Sequence, residues 1–169
     1  MKTKPRIQRG RFTSDWREVD YLYHKLLYWL YERQSVQKAR PYAERLERLL
    51  PKLDPHHEAI LSVECWSLVY ETKRDLRRAI EYRENEIRLM HRLHEISPQP
   101  IDKCVLLEGR RYQDLSDRLD LLASLYHEEG DIQHAIAVLR ESKQLCAEQR
   151  LKFDGSAMLE QYLAESEVK

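Results

Sequence analysis

Seven histidines and three cysteines are the residues of this chain best suited to metal or nucleophile chemistry. Two groups of histidines are close in sequence. His56, His57 and Glu58 are consecutive, and His91, His94 and Glu95 follow the pattern His-x-x-His-Glu. Adjacent residues on a helix point apart, whereas residues three apart can share a face. Neither group copies His-Glu-x-x-His or another close ligand set. No metal is therefore expected, and these histidines read as surface or helix-end residues. Cys65, Cys104 and Cys146 are widely spaced, odd in number and form no Cys-x-x-Cys pair. That is the usage of reduced thiols in an intracellular protein. Cys65, beside Trp66, reads as a small core residue. Gly-x-Ser-x-Gly, P-loop and Rossmann glycine patterns do not occur. No catalytic residue and no cofactor is expected, and the chain reads as a binding protein rather than an enzyme.

Charge is balanced overall but not along the chain. Lys2, Lys4, Arg6, Arg9 and Arg11 fall in the first eleven residues without an acid. With 29 basic and 29 acidic side chains in total, residues 12–169 carry five more acids than bases. The expected organisation is a basic flexible tail over residues 1–12 and a single helical domain over residues 13–169. The tail could contact phosphates. It has little aromatic interleaving, however, and the body is acidic, so nucleic-acid association through the tail is only the alternative reading. No apolar run follows the basic start, and none approaches the ~20 residues that span a bilayer. A cytoplasmic protein with no membrane association is expected.

The elements that position these residues are all helical. Four glycines and six prolines among 169 residues disfavour an all-β fold. Apolar residues recur at three- and four-residue steps throughout, and no run alternates at period two. Val19, Leu22, Tyr23, Leu26 and Leu30 form the face of a first helix entered through Thr13-Ser14-Asp15. Tyr21, Tyr28, Trp29 and Tyr31 widen its apolar surface, which suits core packing and a homodimer through this helix. A break near Gln34-Ser35 leads to a second helix with Ala39, Ala43, Leu46, Leu49 and Leu50, and Pro41 is placed early in it. Asp54-Pro55 is expected to start a third helix, with Ile60, Val63, Trp66, Ser67 and Tyr70. Asp75 is expected to cap a fourth, with Leu76, Ala79, Ile80, Ile87, Met90 and Leu93. Ser97-Pro98-Gln99-Pro100 reads as a linker. A fifth helix runs from Ile101 toward His127, interrupted at Gly109, and a sixth follows the Gly130-Asp131 turn. Asp154-Gly155-Ser156 restarts a short last helix.

The stretch from Leu119 holds Leu122, Ala123, Tyr126, Gly130, Ala135, Leu139 and Ser142 at fixed intervals. It resembles a tetratricopeptide repeat, in which small residues let two antiparallel helices approach and bulky ones fill the space around them. Trp66, Ser67, Tyr70 and Ala79 keep the same spacing, with Arg74 in the glycine slot and Arg83 in the later apolar slot. Leu27, Leu30 and Ala39 keep it in the first hairpin, with Leu27 in the small slot. The steps between Ala39, Ala79 and Ala135 exceed the family's period of about 34 residues. The resemblance implies an all-α fold of stacked antiparallel helix hairpins, forming a short right-handed superhelix closed by a C-terminal capping helix. It also implies that the first helix of each pair lines a concave surface. Leu61, Glu64, Leu68 and Glu71 would face that surface in the middle unit, and Asp117, Asp120, Ser124, His127 and Glu128 in the last. The Lys, Arg and Asn set with which the family's chaperone-tail receptors hold a carboxylate is missing at the matching places. A concave groove rich in acids instead suits a protein or peptide partner with a basic segment, in an adaptor or regulatory subunit.

Overall fold

The computed structural model describes residues 15–54, 58–96 and 105–168, without the side chains of 94–96 and 105–112. The described residues form α1 (Asp15–Leu27), α2 (Val36–Leu49), α3 (Ala59–Thr72), α4 (Leu76–Ile96), α5 (Val105–Glu129), α6 (Ile132–Glu148) and α7 (Ser156–Glu167), with no strand among them. A π-helical turn, Tyr28–Glu32, extends α1, and a 3₁₀ turn, Leu50–Lys52, extends α2. The basic tail lies outside the described residues, as do Pro55, His56, His57 and the Ser97–Pro100 linker. The chain divides into two compact units, Met1–Lys73 and Arg74–Lys169. The boundary falls in the turn that joins α3 to α4.

In the first unit the α1 face expected from the three-four spacing is buried: Val19, Leu22 and Leu26 are fully covered. It packs on Ala39, Ala43 and Leu46 of α2 and on Cys65, Leu68 and Val69 of α3. Two alanines one turn apart on α2 leave room for the larger α1 side chains, the complementarity that a dense core requires. A bidentate pair joins the start of α1 to the far half of α2, with Glu18 accepting from Arg45 Nε at 2.6 Å and Nη2 at 3.1 Å. The two helices are thus antiparallel.

In the second unit α5 packs most extensively on α6, and also on α4. Ala123 and Ala135, the small residues of the repeat-like stretch, are both fully buried beside Ile136 and Leu139. Asp131 caps α6, its carboxylate accepting from the His134 backbone N–H at 3.2 Å. Asp75 does the same for α4 through Arg78 N–H at 3.3 Å.

Three expectations are corrected. α2 begins at Val36, so Pro41 lies inside the helix and removes the bond that Gln37 carbonyl would accept. α3 begins at Ala59 with Glu58 as its cap residue, so Asp54 does not cap it. α5 runs through Gly109 without interruption, because one glycine costs only about 1 kcal/mol in a helix of 25 residues.

The turns repeat more faithfully than the sequence does. Gln34, Arg74 and Gly130 each lie five residues before Ala39, Ala79 and Ala135, and all three are left-handed, with φ of 47°, 61° and 93°. Only Gly130 takes this conformation without a Cβ penalty. A Cβ added there meets nothing within 4 Å, so its cost is backbone strain alone. Gly130→Ala is expected to lower stability by about 1 kcal/mol and Gln34→Gly to raise it by up to about 1 kcal/mol. Urea denaturation followed by circular dichroism checks both signs.

Candidate functional site

The residues expected to line one groove fall in both units. In the first, Leu68 is fully buried and Glu64 is 4% exposed. Tyr23 Oη donates to Glu64 Oε1 at 2.8 Å, and Tyr31 Oη donates to Glu71 Oε2 at 2.7 Å. These two rungs advance together along α1 and α3, so the helices run in the same sense with α2 antiparallel to α1. Leu61, half-buried, packs on the same core. Glu64 and Leu68 are therefore interior residues of this unit, not an open surface, and half-buried Glu71 is held in the same seam. The physical reason is that the α1 tyrosines reach across to α3, and a buried carboxylate is retained where a hydroxyl donates to it.

The second unit repeats the device with other residues. His127, three places before Gly130, stands where Tyr31 stands before Gln34. Its Nε2 lies 2.7 Å from Glu165 Oε2 of α7, and its ring stacks on Tyr162 with centroids 4.1 Å apart. Half-buried Ser124 is near enough to the Tyr162 phenol to oppose the rise in its pKa that burial causes. Asp120 also lies within electrostatic range of Asp154, which sits just before α7 and pairs with Lys152 Nζ at 2.6 Å. Moving along α5 from Asp120 through Ser124 to His127 leads in turn to Asp154, Tyr162 and Glu165, so α7 runs parallel to α5. Ser124 and His127 thus lie against α7.

Asp117 and Glu128 are exposed. Asp117 accepts from Gln113 Nε2 at 3.0 Å, and Glu128 pairs with Arg74 Nη1 at 2.7 Å. Asp120 is half-buried and accepts from Ser142 Oγ at 2.8 Å. Behind it Ser142 Oγ lies 2.9 Å from Ser116 Oγ, which lies 3.1 Å from Cys146 Sγ. An ionised carboxylate only accepts, so it orients the chain: the thiol donates to Ser116, Ser116 to Ser142 and Ser142 to Asp120.

Burial pushes the Asp120 pKa up to about 6, the Ser142 hydroxyl opposes this, and Asp117 and Asp154 add to the rise. The folded state then holds this proton more tightly than the unfolded chain, whose ordinary value is 3.8. Stability associated with Asp120 therefore rises as pH falls from about 7 toward 4 and is level below that. Asp120→Asn is expected to stabilise by about 1 kcal/mol near pH 7, after allowance for solvent screening. The gain should fall to roughly half by pH 5 and shrink toward zero below about pH 4, which urea titrations at pH 7, 5 and below 4 would measure.

Further residues emerge from the geometry. Arg83 occupies the slot filled by Leu139 in the repeat-like stretch and, like that leucine, is fully buried. It donates from Nη1 to Glu86 Oε2 at 2.6 Å, and Arg118 Nε donates to Glu86 Oε1 at 2.8 Å. The three-residue step from Arg83 to Glu86 is the sequence signal for this pair. Tyr126 Oη donates to Glu84 Oε1 at 2.5 Å, and burial together with that bond pushes its pKa up. The two α4 contacts run backward along α5, so α4 and α5 are antiparallel. A polar cleft of about 350 Å³ along α4 is lined by Glu81, Tyr82, Glu84, Asn85 and Arg88. Asp154, Tyr162 and Glu165 had no sequence signal, since only the fold brings them to α5.

No group of three or more His, Cys, Asp or Glu side chains placed to hold a metal occurs among the described residues. No described helix is long and apolar enough to cross a membrane. Comparisons of the chain with protein-family models, curated proteins and solved structures found no match.

Proposed function

We propose that the chain is a protein-interaction scaffold, an adaptor or regulatory subunit of tetratricopeptide-like superhelical design, that docks a basic segment of a partner on the acidic α5 face of its second unit. The observation that carries this reading is half-buried Asp120 beside exposed Asp117: Asp120 feels the negative charge of Asp117 and of Asp154, the latter already paired with Lys152 Nζ at 2.6 Å. A cationic side chain placed there relieves that repulsion, so charge complementarity favours a basic partner. Exposed Glu128 lies further along the same helix, its carboxylate shared with Arg74. The first-unit acids contribute structure instead, through Tyr23 and Tyr31.

The test uses helical peptides of about 15 residues carrying several lysines or arginines, titrated by calorimetry against the intact chain. Asp117→Lys combined with Glu128→Lys is expected to weaken binding by about tenfold or more, and added salt should weaken it further. Binding that survives the double reversal unchanged defeats the assignment.

A second reading is self-association through α1 and its π-helical extension, favoured by exposed Tyr21 and Tyr28. Tyr28 meets Trp29 edge to face, and Lys38 lies over the Trp29 ring. Sedimentation showing only monomer at high concentration would eliminate it.

A further inference from the structure

We propose that the π-helical turn Tyr28–Glu32 is a register switch: it holds Tyr31 against Glu71, and it reverts to α-helix, turning Tyr31 out of the seam, when that contact is lost.

Two hydrogen bonds of unequal spacing point to it. Tyr23 donates to Glu64 at 2.8 Å and Tyr31 to Glu71 at 2.7 Å. The tyrosines are eight residues apart, whereas the glutamates they meet are seven apart. α3 is α-helical over Ala59–Thr72, and seven residues there fall about 20° short of two full turns. Glu64 and Glu71 therefore share a face. Eight residues of α-helix overshoot two turns by about 80°, which would carry Tyr31 off the face of Tyr23.

The π-helical turn absorbs the difference. Arg33 N–H donates to the Tyr28 carbonyl at 2.9 Å, a bond that spans one residue more than its α-helical counterpart. The turn thus takes up one extra residue, and Tyr31 comes back into line with Tyr23. The second unit provides the comparison. α5 is α-helical over Val105–Glu129, and Ser124 and His127, three apart, lie against Tyr162 and Glu165, also three apart.

A π-helical turn is rare, so a tertiary contact has to select it over α-helix. In the α-helical register Leu30, seven residues after Tyr23, would take the place of Tyr31 opposite Glu71. Leucine offers no hydrogen to the half-buried carboxylate, whereas the tyrosine hydroxyl does. The Tyr31–Glu71 bond is thus the contact that favours the π register. Its effect reaches the surface. Tyr28 is exposed in this turn, Lys38 Nζ lies 4.7 Å from the Trp29 ring centroid, and Ser35 N–H donates to the Trp29 carbonyl at 2.7 Å. Reversion rotates Tyr28 and Trp29 and re-forms the entry to α2, so the switch sets the aromatic corner beside that turn.

Scalar coupling across hydrogen bonds identifies the carbonyl that each amide meets, and the measurement uses the intact, isotopically labelled chain. The Arg33 amide is expected to couple to the Tyr28 carbonyl. In Tyr31→Phe and in Glu71→Leu that coupling should vanish and be replaced by one to the Trp29 carbonyl, the α-helical partner. Glu71→Gln keeps an acceptor for the hydroxyl and should keep the Tyr28 coupling. Circular dichroism confirms that these variants stay folded. Deleting Tyr28 leaves Tyr23 and Tyr31 seven residues apart. That chain should fold with a continuous α-helix and retain Overhauser contacts from the Tyr31 ring to Glu71. A Tyr28 coupling that persists in either Tyr31→Phe or Glu71→Leu overturns the proposal, as does its loss in Glu71→Gln. So does an intact chain in which Arg33 couples to Trp29, or a deletion variant that unfolds or loses the Tyr31 contact.

Discussion

Replacing Glu86 by alanine is expected to destabilise the second unit by about 3–5 kcal/mol, enough to unfold a domain of ordinary stability. Glu86 and Arg83 are both fully buried, and Glu86 accepts from Arg83 at one oxygen and from Arg118 at the other. A carboxylate and a guanidinium in an apolar interior are tolerable because each offsets the other's desolvation. Removing the carboxylate leaves the Arg83 charge at the α4–α5 seam without its nearest counter-ion. Arg118 is half-buried and can turn toward water, so Arg83 sets the size of the loss. The same reasoning predicts a rescue. Arg83→Leu combined with Glu86→Leu removes both charges together and should recover most of the stability, because a packed apolar pair commonly matches a buried ion pair. Urea denaturation of the three proteins decides it. A loss under about 1 kcal/mol for Glu86→Ala would show that the pair is not buried as described.

Leu139→Ala is expected to cost about 2–5 kcal/mol, with the upper half of that range favoured by its surroundings. Leu139 is fully buried against Ala123, Ala135 and Ile136 and belongs to the same cluster as Leu159 and Tyr162. Its neighbours include small, well-packed residues that cannot move in to fill the space, so most of the cavity persists. Because Leu139 also reaches to 3.1 Å from where a Gly155 Cβ would stand, its loss should loosen α7 as well as the α5–α6 seam. Leu93→Ala is the control: that leucine is 46% exposed, and its truncation should change stability by no more than about 0.5 kcal/mol. Similar losses at the two positions would contradict the core assignment.

How far the fold was legible varies from residue to residue. Ala123, Ala135 and Leu139 announced the α5–α6 hairpin because small and large side chains at helical steps reflect a close approach that physics rewards directly. Asp75 announced its helix because capping is local, and the Gly130-Asp131 pair announced the turn into α6, where Asp131 proves to be the cap. Pro41 and Gly109 misled, since packing by an amphipathic face outweighs one missing bond or one flexible residue. Arg83 looked like an irregularity, and the repeat position was buried all the same, its charge met by Glu86 one turn on. The acidic surface was legible only in part. The resemblance to a tetratricopeptide repeat implied that Glu64, Glu71, Ser124 and His127 share the groove-facing sides of α3 and α5, but nothing local in the sequence says that Tyr23, Tyr31, Tyr162 and Glu165 reach them. Those contacts are set by which helices lie side by side, information spread over about 40 residues of chain. Asp117 and Glu128 remained exposed because no neighbouring helix supplies them with a buried donor.

The central claim is that α3 lies parallel to α1 in the first unit and α7 parallel to α5 in the second, and that each pairing covers part of the face expected to form a groove. Proton–proton Overhauser spectroscopy on the intact, isotopically labelled chain tests this most directly at His127. With ring centroids 4.1 Å apart, strong cross-peaks should join the His127 imidazole to the Tyr162 ring, accompanied by contacts from the Tyr31 ring to the Glu71 side chain. Strong intra-helical peaks with neither of these contacts would show that α5 and α3 present open faces, and the account given for both units would be wrong.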